Sequence, residues 1–385
     1  MAAFEELMGI RNLVAPSESI TLTGTDPVLS SRFSLGNTAA DIQLAIGVAV
    51  NDLWEMSAGR RQTLSTKTEY AAAALKSYQY LSVSFQQANR AFALQKSRQA
   101  ISTPHLTKDG RYFLPHMGLP HLAERVLKIL ECDYELNSVV EAVSKWDARA
   151  LEDAIAQAEG CGAMVRTETE WLAHPQGESL QLKPVIEIEK IADSDPEPIP
   201  RGVKPAPLAS VRVLDLTRIL AGPTCARTLA EHGADVLMVT SKDLPQTEYF
   251  VMDTSHGKRT TYLDLNISEQ RSKLLELVKD ADVFSQGYRP GVMAKLGLTP
   301  EALAELRPGL IYTSMNCYGF SGPWADRAGW EQLAQTVTGM AAEQGDDRPQ
   351  LLPAAVCDYT TGYLAAYGTL LAMGMRAREG GSYHV

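Results

Sequence analysis

The feature that most constrains the fold is a regular alternation of strand-like and helix-like segments after residue 208. Strand-like apolar runs cover 211–217, 234–240, 259–265, 282–288 and 310–316, and helical patterns cover 221–233, 267–281 and 299–309. Strands that alternate with helices in this way predict a largely parallel, doubly wound sheet. We therefore predict an α/β fold for residues 208–385.

The part of the chain before residue 208 has a different organisation. Helical spacing of apolar residues covers 37–57, 69–81, 119–132 and 146–158, and Asp109-Gly110 marks a turn between two strand-like pieces. Residues 193–208 are rich in proline and acid, which is typical of a linker. We predict a helical part of a large domain over 1–95, a smaller α+β domain over 96–190 and a linker over 191–207.

Composition excludes several classes of partner. The formal net charge of −10 disfavours nucleic acid and anionic membrane as main partners. Five cysteines without CxxC spacing favour a reducing compartment, and residues 1–12 have no signal-peptide pattern. The uncharged run over 362–375 is too short to span a membrane. We expect a soluble cytoplasmic protein whose chain, ending in a strand-like GGSYHV, is truncated at its C-terminus.

Motif spacing argues against common cofactors. Gly222 is followed by Pro223 rather than by a G-x-G-x-x-G pattern, and Thr240 and Ser241, not an acid, end the second strand. The phosphate-loop, H-E-x-x-H and G-x-S-x-G motifs are absent from the sequence. His105, His116 and His121 have no cysteine or acid at ligand spacing, so we predict neither a metal nor a permanently bound cofactor.

One acid, Asp358, stands at the head of an otherwise uncharged helical run over 352–368. The commonest reason for an aspartate before an apolar helix is N-capping. The alternative is a nucleophilic carboxylate that the helix N-terminus keeps ionised. Local spacing alone favours the cap.

Five segments occur here in one order and together closely resemble the class III CoA-transferases, which include formyl-CoA and carnitine CoA-transferases and α-methylacyl-CoA racemases. The segments are 211–237, 256–265, 282–298, 310–330 and 357–373. The resemblance implies a Rossmann-like, CoA-binding domain over 208–385. It also implies acyl-CoA and a carboxylic acid as partners, CoA as a substrate, and an interlocked homodimer.

The first half resembles the later part of the same family, so the family order is predicted to be permuted or tandem-derived. The resembling segments are 59–75, 108–117 and 170–177. Residues 33–60 are then a remnant of the active-site helix. Aligning Gly47 with Gly368 places Asn37 opposite Asp358.

The resemblance implies a role for particular residues. Asp358 would attack the acyl-CoA thioester, form a mixed anhydride and then an aspartyl-CoA thioester, which favours the nucleophile over the cap. Lys258 and Arg259 would hold CoA phosphates, although an exposed basic turn explains them equally. The remaining positions implied to contact CoA or approach the thioester, each also explicable by core packing or a turn, are Ile219, Leu220, Ala221, Gln286, Gly287, Tyr288, Arg289, Gly319 and Gly322.

Two departures from the family matter. No histidine follows the turn around Gly322, which disfavours racemisation, and Glu331 is interpreted as a helix-surface residue, with an acid/base group as the alternative. The glycine-rich lid of formyl-CoA transferase is not evident in 100–180, where residues 160–164 are the nearest match. The predicted function is acyl-CoA:carboxylate CoA transfer, with a racemase-type isomerase and a non-catalytic CoA-ester-binding paralogue as alternatives.

Overall fold

The computed structural model describes residues 1–81, 100–199 and 206–385. The predicted boundary at 95/96 and the linker residues 200–205 lie outside the described residues. The strands are β1 (Ile20–Thr23), β2 (Leu64–Lys67), β3 (His105–Leu106), β4 (Tyr112–Pro115), β5 (Gly162–Met164), β6 (Glu189–Ala192), β7 (Arg212–Asp215), β8 (Asp235–Thr240), β9 (Lys258–Tyr262), β10 (Val283–Gln286), β11 (Ile311–Ser314) and β12 (Ser382–His384).

Helices surround these strands. They cover Ala2–Arg11, Leu35–Ala58, Thr68–Ala74, Pro120–Leu130, Leu136–Val143, Ala148–Gln157, Glu168–Leu172, Pro175–Gln181, Ala221–Glu231, Glu248–Thr254, Ser268–Val278, Val292–Lys295, Pro300–Leu306, Glu331–Val337, Met340–Gln344 and Val356–Glu379, with a 3-10 turn at Ser77–Tyr80. The helix predicted over 69–81 is thus a shorter helix followed by a 3-10 turn. Among the described residues, no helix is long and apolar enough to cross a membrane.

The main sheet has seven strands in the order β6-β12-β11-β10-β7-β8-β9. All neighbours are parallel except β6, which pairs antiparallel with β12. Strands covered by helices on both faces need continuous apolar runs, and all four residues of β10 are buried accordingly. The predicted α/β fold with a mostly parallel sheet is confirmed.

A second, three-stranded antiparallel sheet has the order β3-β4-β5. The helices Pro120–Leu130, Leu136–Val143 and Ala148–Gln157 pack on it around a core of their own. This small α+β unit falls within the predicted range 96–190. The predicted boundary at residue 190 nevertheless cuts through β6, because that strand completes the edge of the main sheet.

Two long helices, Leu35–Ala58 (the Asn37 helix) and Val356–Glu379 (the Asp358 helix), pack against each other in the main core. Each has 24 residues, and Asn37 and Asp358 are each the third residue of their helix. The residues preceding the two helices have nearly the same conformation, with φ −77° and ψ 64° in one and φ −83° and ψ 65° in the other. The two helices therefore match in their length, in the backbone conformation of the residue before each helix and in the glycine that follows each helix.

The Asp358 helix also packs closely on the helix Ala221–Glu231, which follows β7. Gly362 makes this contact possible, because a Cβ there would lie 2.4 Å from the Ala221 carbonyl oxygen and 2.7 Å from Thr224 Cβ. This close approach places the start of the Asp358 helix beside the loop at the carboxyl end of β7. In doubly wound sheets, this edge is where ligands bind.

Candidate functional site

Asp358 lies in the first turn of its helix and is not the N-cap. The N-cap is Ala355, and no side chain caps this helix by a hydrogen bond. The capping interpretation of Asp358 is therefore wrong, because the backbone becomes helical before the chain reaches Asp358. Its carboxyl group is instead available to the space in front of the helix.

Glu331 is buried beside Asp358, which corrects its interpretation as a helix-surface residue. Its side chain is only 4% exposed. One carboxylate oxygen, Oε2, accepts the backbone N–H of Asp358 at 2.5 Å, and Oε1 accepts a hydrogen bond from Gln335 Nε2. Gln335 Oε1 in turn accepts the backbone N–H of Leu352 at 2.7 Å, so Glu331 belongs to a network that holds the segment entering the Asp358 helix.

The two carboxyl groups perturb each other. Burial, followed by the charge of Glu331, holds the pKa of Asp358 well above its ordinary range. Burial also raises the pKa of Glu331, although backbone N–H groups of the helix start oppose that change. Strongly perturbed carboxyl groups in a cleft are a physical indication of a functional site.

Two cavities meet at Asp358. One has a volume of about 300 Å³, and we call it the basic cavity because Arg125, Arg218 and Arg289 line it. The other has a volume of about 670 Å³, and we call it the aromatic cavity because Tyr78, Tyr249, Phe250 and Trp330 line it. The residues that line both cavities are Leu119, Leu220, Trp330, Glu331 and Asp358.

The basic cavity suits an anionic ligand despite the acidic net charge of the chain. Arg218 donates to the carbonyl of Pro245, but its Nε is buried and has no hydrogen-bond partner among the described residues. Arg125 donates to the Glu159 carbonyl at 2.8 Å, lies 3.5 Å from the Glu159 carboxylate and is partly exposed. Guanidinium groups in such positions recognise phosphates and carboxylates. Sequence reasoning missed both arginines because neither lies in a distinctive local motif.

Six of the residues implied to bind CoA line the basic cavity. They are Ile219, Leu220, Ala221, Gly287, Tyr288 and Arg289. Ile219 has φ 73°, a left-handed conformation that β-branched residues rarely adopt, so the loop after β7 is held in a strained form. Gln286 lies behind the cavity, where its Oε1 accepts the backbone N–H of Tyr288 at 2.8 Å.

Lys258 and Arg259 do not lie at either cavity. The Lys258 side chain is fully buried, and its ammonium donates to Asp215 Oδ2 and to the Pro223 carbonyl, both at 2.8 Å. Arg259 is exposed on β9 and pairs with Asp235. Lys258 neutralises a carboxylate at the end of β7, and the role predicted for Lys258 and Arg259 in holding CoA phosphates stays a prediction.

The turn containing Gly319 and Gly322 also lies apart from the lining residues. Both glycines have positive φ, 79° and 84°, and a Cβ at Gly319 would lie 2.7 Å from Leu180. The Gly319 carbonyl accepts a hydrogen bond from Asn316, which does line the basic cavity. Gly319 therefore shapes the wall indirectly.

The thiols around Asp358 are poor competitors as nucleophiles. Burial raises the pKa of Cys317, and burial together with the charges of Glu331 and Asp358 raises the pKa of Cys357. Burial also raises the pKa of Cys161 to about 12. Since the thiolate is the reactive form, these cysteines stay protonated at neutral pH.

Several elements outside the predicted site take part in building the cavities. Residues 160–164, the nearest match to a glycine-rich lid, run into β5, so they are part of the small sheet and not a mobile cover.

His121 lines the basic cavity, and His116 lines the aromatic cavity, where its ring stacks on Trp330 with ring centroids 4.6 Å apart. Among the described residues, no group of acids, histidines and cysteines has the arrangement of a metal site.

Comparisons with known proteins show which proteins this chain resembles. Residues 208–385 match the model of CoA-transferase family III. An acetyl-coenzyme A transferase of Hypoxylon pulicicidum is 33% identical over 313 residues, which cover 75% of this chain and 53% of the relative. A formyl-CoA:oxalate CoA-transferase of Bradyrhizobium diazoefficiens is 33% identical over 188 residues, which cover 45% of this chain and 44% of the relative.

Among solved structures, a CAIB/BAIF family protein from Brucella suis has 33% identity and a TM-score of 0.44, with 47% of this chain and 53% of that chain covered. The chain spans about half the length of the curated relatives it matches.

Proposed function

We propose that this chain, which belongs to CoA-transferase family III through residues 208–385, transfers CoA from an acyl-CoA to a free carboxylic acid through a covalent intermediate on Asp358. The observation that most supports this proposal is the position of Asp358 where the two cavities meet. A CoA thioester placed there would have its phosphates near guanidinium groups and its acyl group on the other side of the carboxylate.

The proposed reaction has two symmetric halves. The Asp358 carboxylate attacks the thioester carbonyl, the C–S bond breaks, and CoA thiolate leaves a mixed anhydride. The thiolate then attacks the Asp358 carbonyl carbon, which releases the donor acid as a carboxylate and leaves an aspartyl-CoA thioester. The acceptor carboxylate attacks this thioester, the aspartyl C–S bond breaks, and CoA thiolate leaves a second anhydride. The thiolate then attacks the acceptor acyl carbon of this anhydride, which forms the new acyl-CoA and releases the Asp358 carboxylate. A carboxylate is suited to this role because anhydride and thioester both preserve the activation of the acyl group.

The surroundings of Asp358 support nucleophilic attack in two ways. The positive end of the dipole of a 24-residue helix favours the ionised carboxylate that attacks, and so acts against the burial that raises its pKa. The apolar walls made by the buried Leu220 and the half-buried Trp330 limit access of water, which would hydrolyse the anhydride or the thioester. Glu331 acts as a positioning residue, because it accepts the backbone N–H of Asp358 and fixes the first turn.

The pH dependence follows from the raised pKa of Asp358. Only the ionised carboxylate attacks, so the rate of adduct formation should rise as the pH increases through that raised pKa. Glu331→Gln removes the neighbouring charge that contributes to the shift. It should move the acid limb of the pH profile to lower pH, whereas a purely structural role of Glu331 would lower the rate without moving the limb.

The direct test is intact-protein mass spectrometry after incubation with a panel of acyl-CoAs. We expect an adduct of CoA mass that hydroxylamine removes and that peptide mapping assigns to Asp358. Asp358→Asn should abolish it, and Asp41→Asn, which alters a buried aspartate outside both cavities, should retain it. If folded protein that binds CoA forms no adduct with any acyl-CoA, the transferase proposal is rejected.

One observation supports proton transfer as a second candidate function. Burial lowers the pKa of His116 to about 4, so its ring is neutral at pH 7 and lies in the same cavity as Asp358. A base and an acid in one cavity are what an isomerase acting at the α-carbon needs. Loss of deuterium from the α-carbon of an acyl-CoA, without exchange of labelled free acid, would support this alternative. Binding of CoA without either reaction would support a non-catalytic paralogue.

The permuted or tandem-derived order remains part of the proposal. It is supported by the matching geometry of the Asn37 and Asp358 helices, and by Asp26, which accepts the backbone N–H of Asn37 at 2.7 Å as Glu331 does for Asp358. The proposed homodimer is tested by light scattering on the full chain, where a monomeric mass would exclude it.

A further inference from the structure

The aromatic cavity has walls suited to an apolar group. Tyr78 lies edge-on to Phe250, with ring centroids 5.0 Å apart, and Tyr249 lies 4.4 Å from Phe250. Trp330 forms the wall next to Asp358 and stacks on His116. A continuous apolar segment, residues 351–355, also lines the cavity, together with the uncharged polar residues Gln79, Ser102, Thr103, Gln246, Thr247, Gln332 and Gln335. Aromatic and aliphatic walls of this kind bind ligands mainly by burying their apolar surface.

The charges of the described residues that line this cavity disfavour a second carboxylate on the ligand. The described residues that line it include no lysine and no arginine, and three acids, Glu248, Glu331 and Asp358, face it. His116 supplies no positive charge at neutral pH, because burial lowers its pKa to about 4. The free carboxylate of a dicarboxylic acyl group would therefore be removed from water with no cation to pair with among the described lining residues, which is strongly unfavourable.

The volume of the cavity argues against the smallest acyl groups. At about 670 Å³ it is larger than the basic cavity and lies within the usual range for pockets that enclose a whole small molecule. A formyl or acetyl group attached at Asp358 would leave most of this space filled with water. A longer or aromatic acyl group would displace that water from the rings of Tyr78, Tyr249 and Phe250.

We propose that the aromatic cavity binds the acyl group, and that the preferred acid is an apolar monocarboxylic acid larger than acetic acid. This inference rests on the proposed function, because it assigns the acyl side of the same Asp358 site. It divides the site between the two cavities, with the CoA portion in the basic cavity and the acyl portion in the aromatic cavity.

The test compares four thioesters: acetyl-CoA, succinyl-CoA, hexanoyl-CoA and benzoyl-CoA. Affinity is measured by calorimetry on Asp358→Asn, which cannot react, and adduct rates are measured on the unmodified chain. We expect hexanoyl-CoA and benzoyl-CoA to bind about tenfold or more tighter than acetyl-CoA, from burial of their apolar surface. Succinyl-CoA should bind most weakly of the four.

Two variants of lining residues change size and charge separately. Thr103→Phe narrows the cavity and should lower the affinity for hexanoyl-CoA about tenfold, while the affinity for acetyl-CoA should change by no more than about twofold. Thr247→Lys adds an ammonium group that can pair with the free carboxylate of succinyl-CoA, and it should raise the affinity for this thioester several-fold. Thr63 is exposed and lines neither cavity, so Thr63→Phe and Thr63→Lys are the matched controls, which should change neither affinity.

The outcomes separate this inference from the function on which it rests. If adducts form but succinyl-CoA or acetyl-CoA is preferred, the acyl assignment is wrong and the transferase proposal stands. If the affinities follow the expected order but no adduct forms, the cavity assignment stands and the transferase proposal is wrong. If Thr103→Phe lowers the affinity for all four thioesters equally, the acyl group does not occupy this cavity.

Discussion

The close approach of the Asp358 helix to the loop after β7 provides the sharpest structural prediction. Gly362 lies one turn after Asp358, and a Cβ at this position would lie 2.4 Å from the Ala221 carbonyl oxygen. Real Cβ atoms essentially never come closer than 3.0 Å to such an atom. Gly362→Ala must therefore move the helix, the loop or both, and Ala221 lines the basic cavity.

Gly374 in the same helix is the matched control. Its Cβ would first meet the end of the flexible Arg378 side chain at 3.2 Å and then Leu53 at 3.6 Å, so neither backbone needs to move. Replacing glycine by alanine inside a helix stabilises it by about 1 kcal/mol, and this gain applies to both variants. At Gly362, overpacking costs about 1–3 kcal/mol, so the net loss of stability is about 0–2 kcal/mol.

The expected functional effect is larger than the effect on stability. A displacement approaching 1 Å between reacting groups can lower a rate by about a hundredfold, so we expect Gly362→Ala to slow adduct formation on Asp358 about ten- to a hundredfold. Gly374→Ala should keep the normal rate and unfold at a higher denaturant concentration. The assays are adduct formation by mass spectrometry, CoA affinity by calorimetry and urea denaturation. A folded Gly362→Ala with unchanged CoA affinity and adduct rate would refute the inferred coupling between the two elements.

Two further predictions concern buried charges. Asp358→Asn should stabilise the fold by about 0.5–2 kcal/mol at pH 8. The folded-state pKa of Asp358 is raised, so the stability linked to its protonated form is lost as the pH rises. The difference in stability between Asp358→Asn and the unmodified chain should therefore shrink as the pH falls toward 4. Urea denaturation at several pH values measures this difference. Lys258→Met leaves the Asp215 carboxylate buried without its cation and should cost about 3–5 kcal/mol in the same assay. Adding Asp215→Asn should restore much of that loss. If the double variant is no more stable than Lys258→Met, the ion pair is not what stabilises β7 and β9.

The local pattern of the sequence was sufficient for the main elements of the large sheet. The apolar runs at 211–217, 282–288 and 310–316 contain β7, β10 and β11, because strands buried on both faces require continuous apolar residues. Helix starts follow equally local rules, since the Thr299 hydroxyl caps its helix by accepting the backbone N–H of Ala302. Periodicity and capping act over a few residues, so they can be recognised without knowledge of the tertiary fold.

The surroundings of the charged residues depended on tertiary structure. Glu331 begins a helix, a position where a glutamate is ordinarily exposed, and only the packing of the Asp358 helix 27 residues later buries it. Lys258 looks like part of a basic surface turn, but the order β7-β8-β9 brings its side chain over Asp215, 43 residues earlier.

The sequence by itself therefore determined the α/β class, the position of the Asp358 helix and the resemblance to a CoA-transferase family. The tertiary structure alone decided which charges are buried, which cations line a cavity with Asp358 and how the site divides into two cavities. The physical reason is that secondary structure follows from neighbouring residues, whereas the desolvation of a charge depends on whichever distant element packs over it.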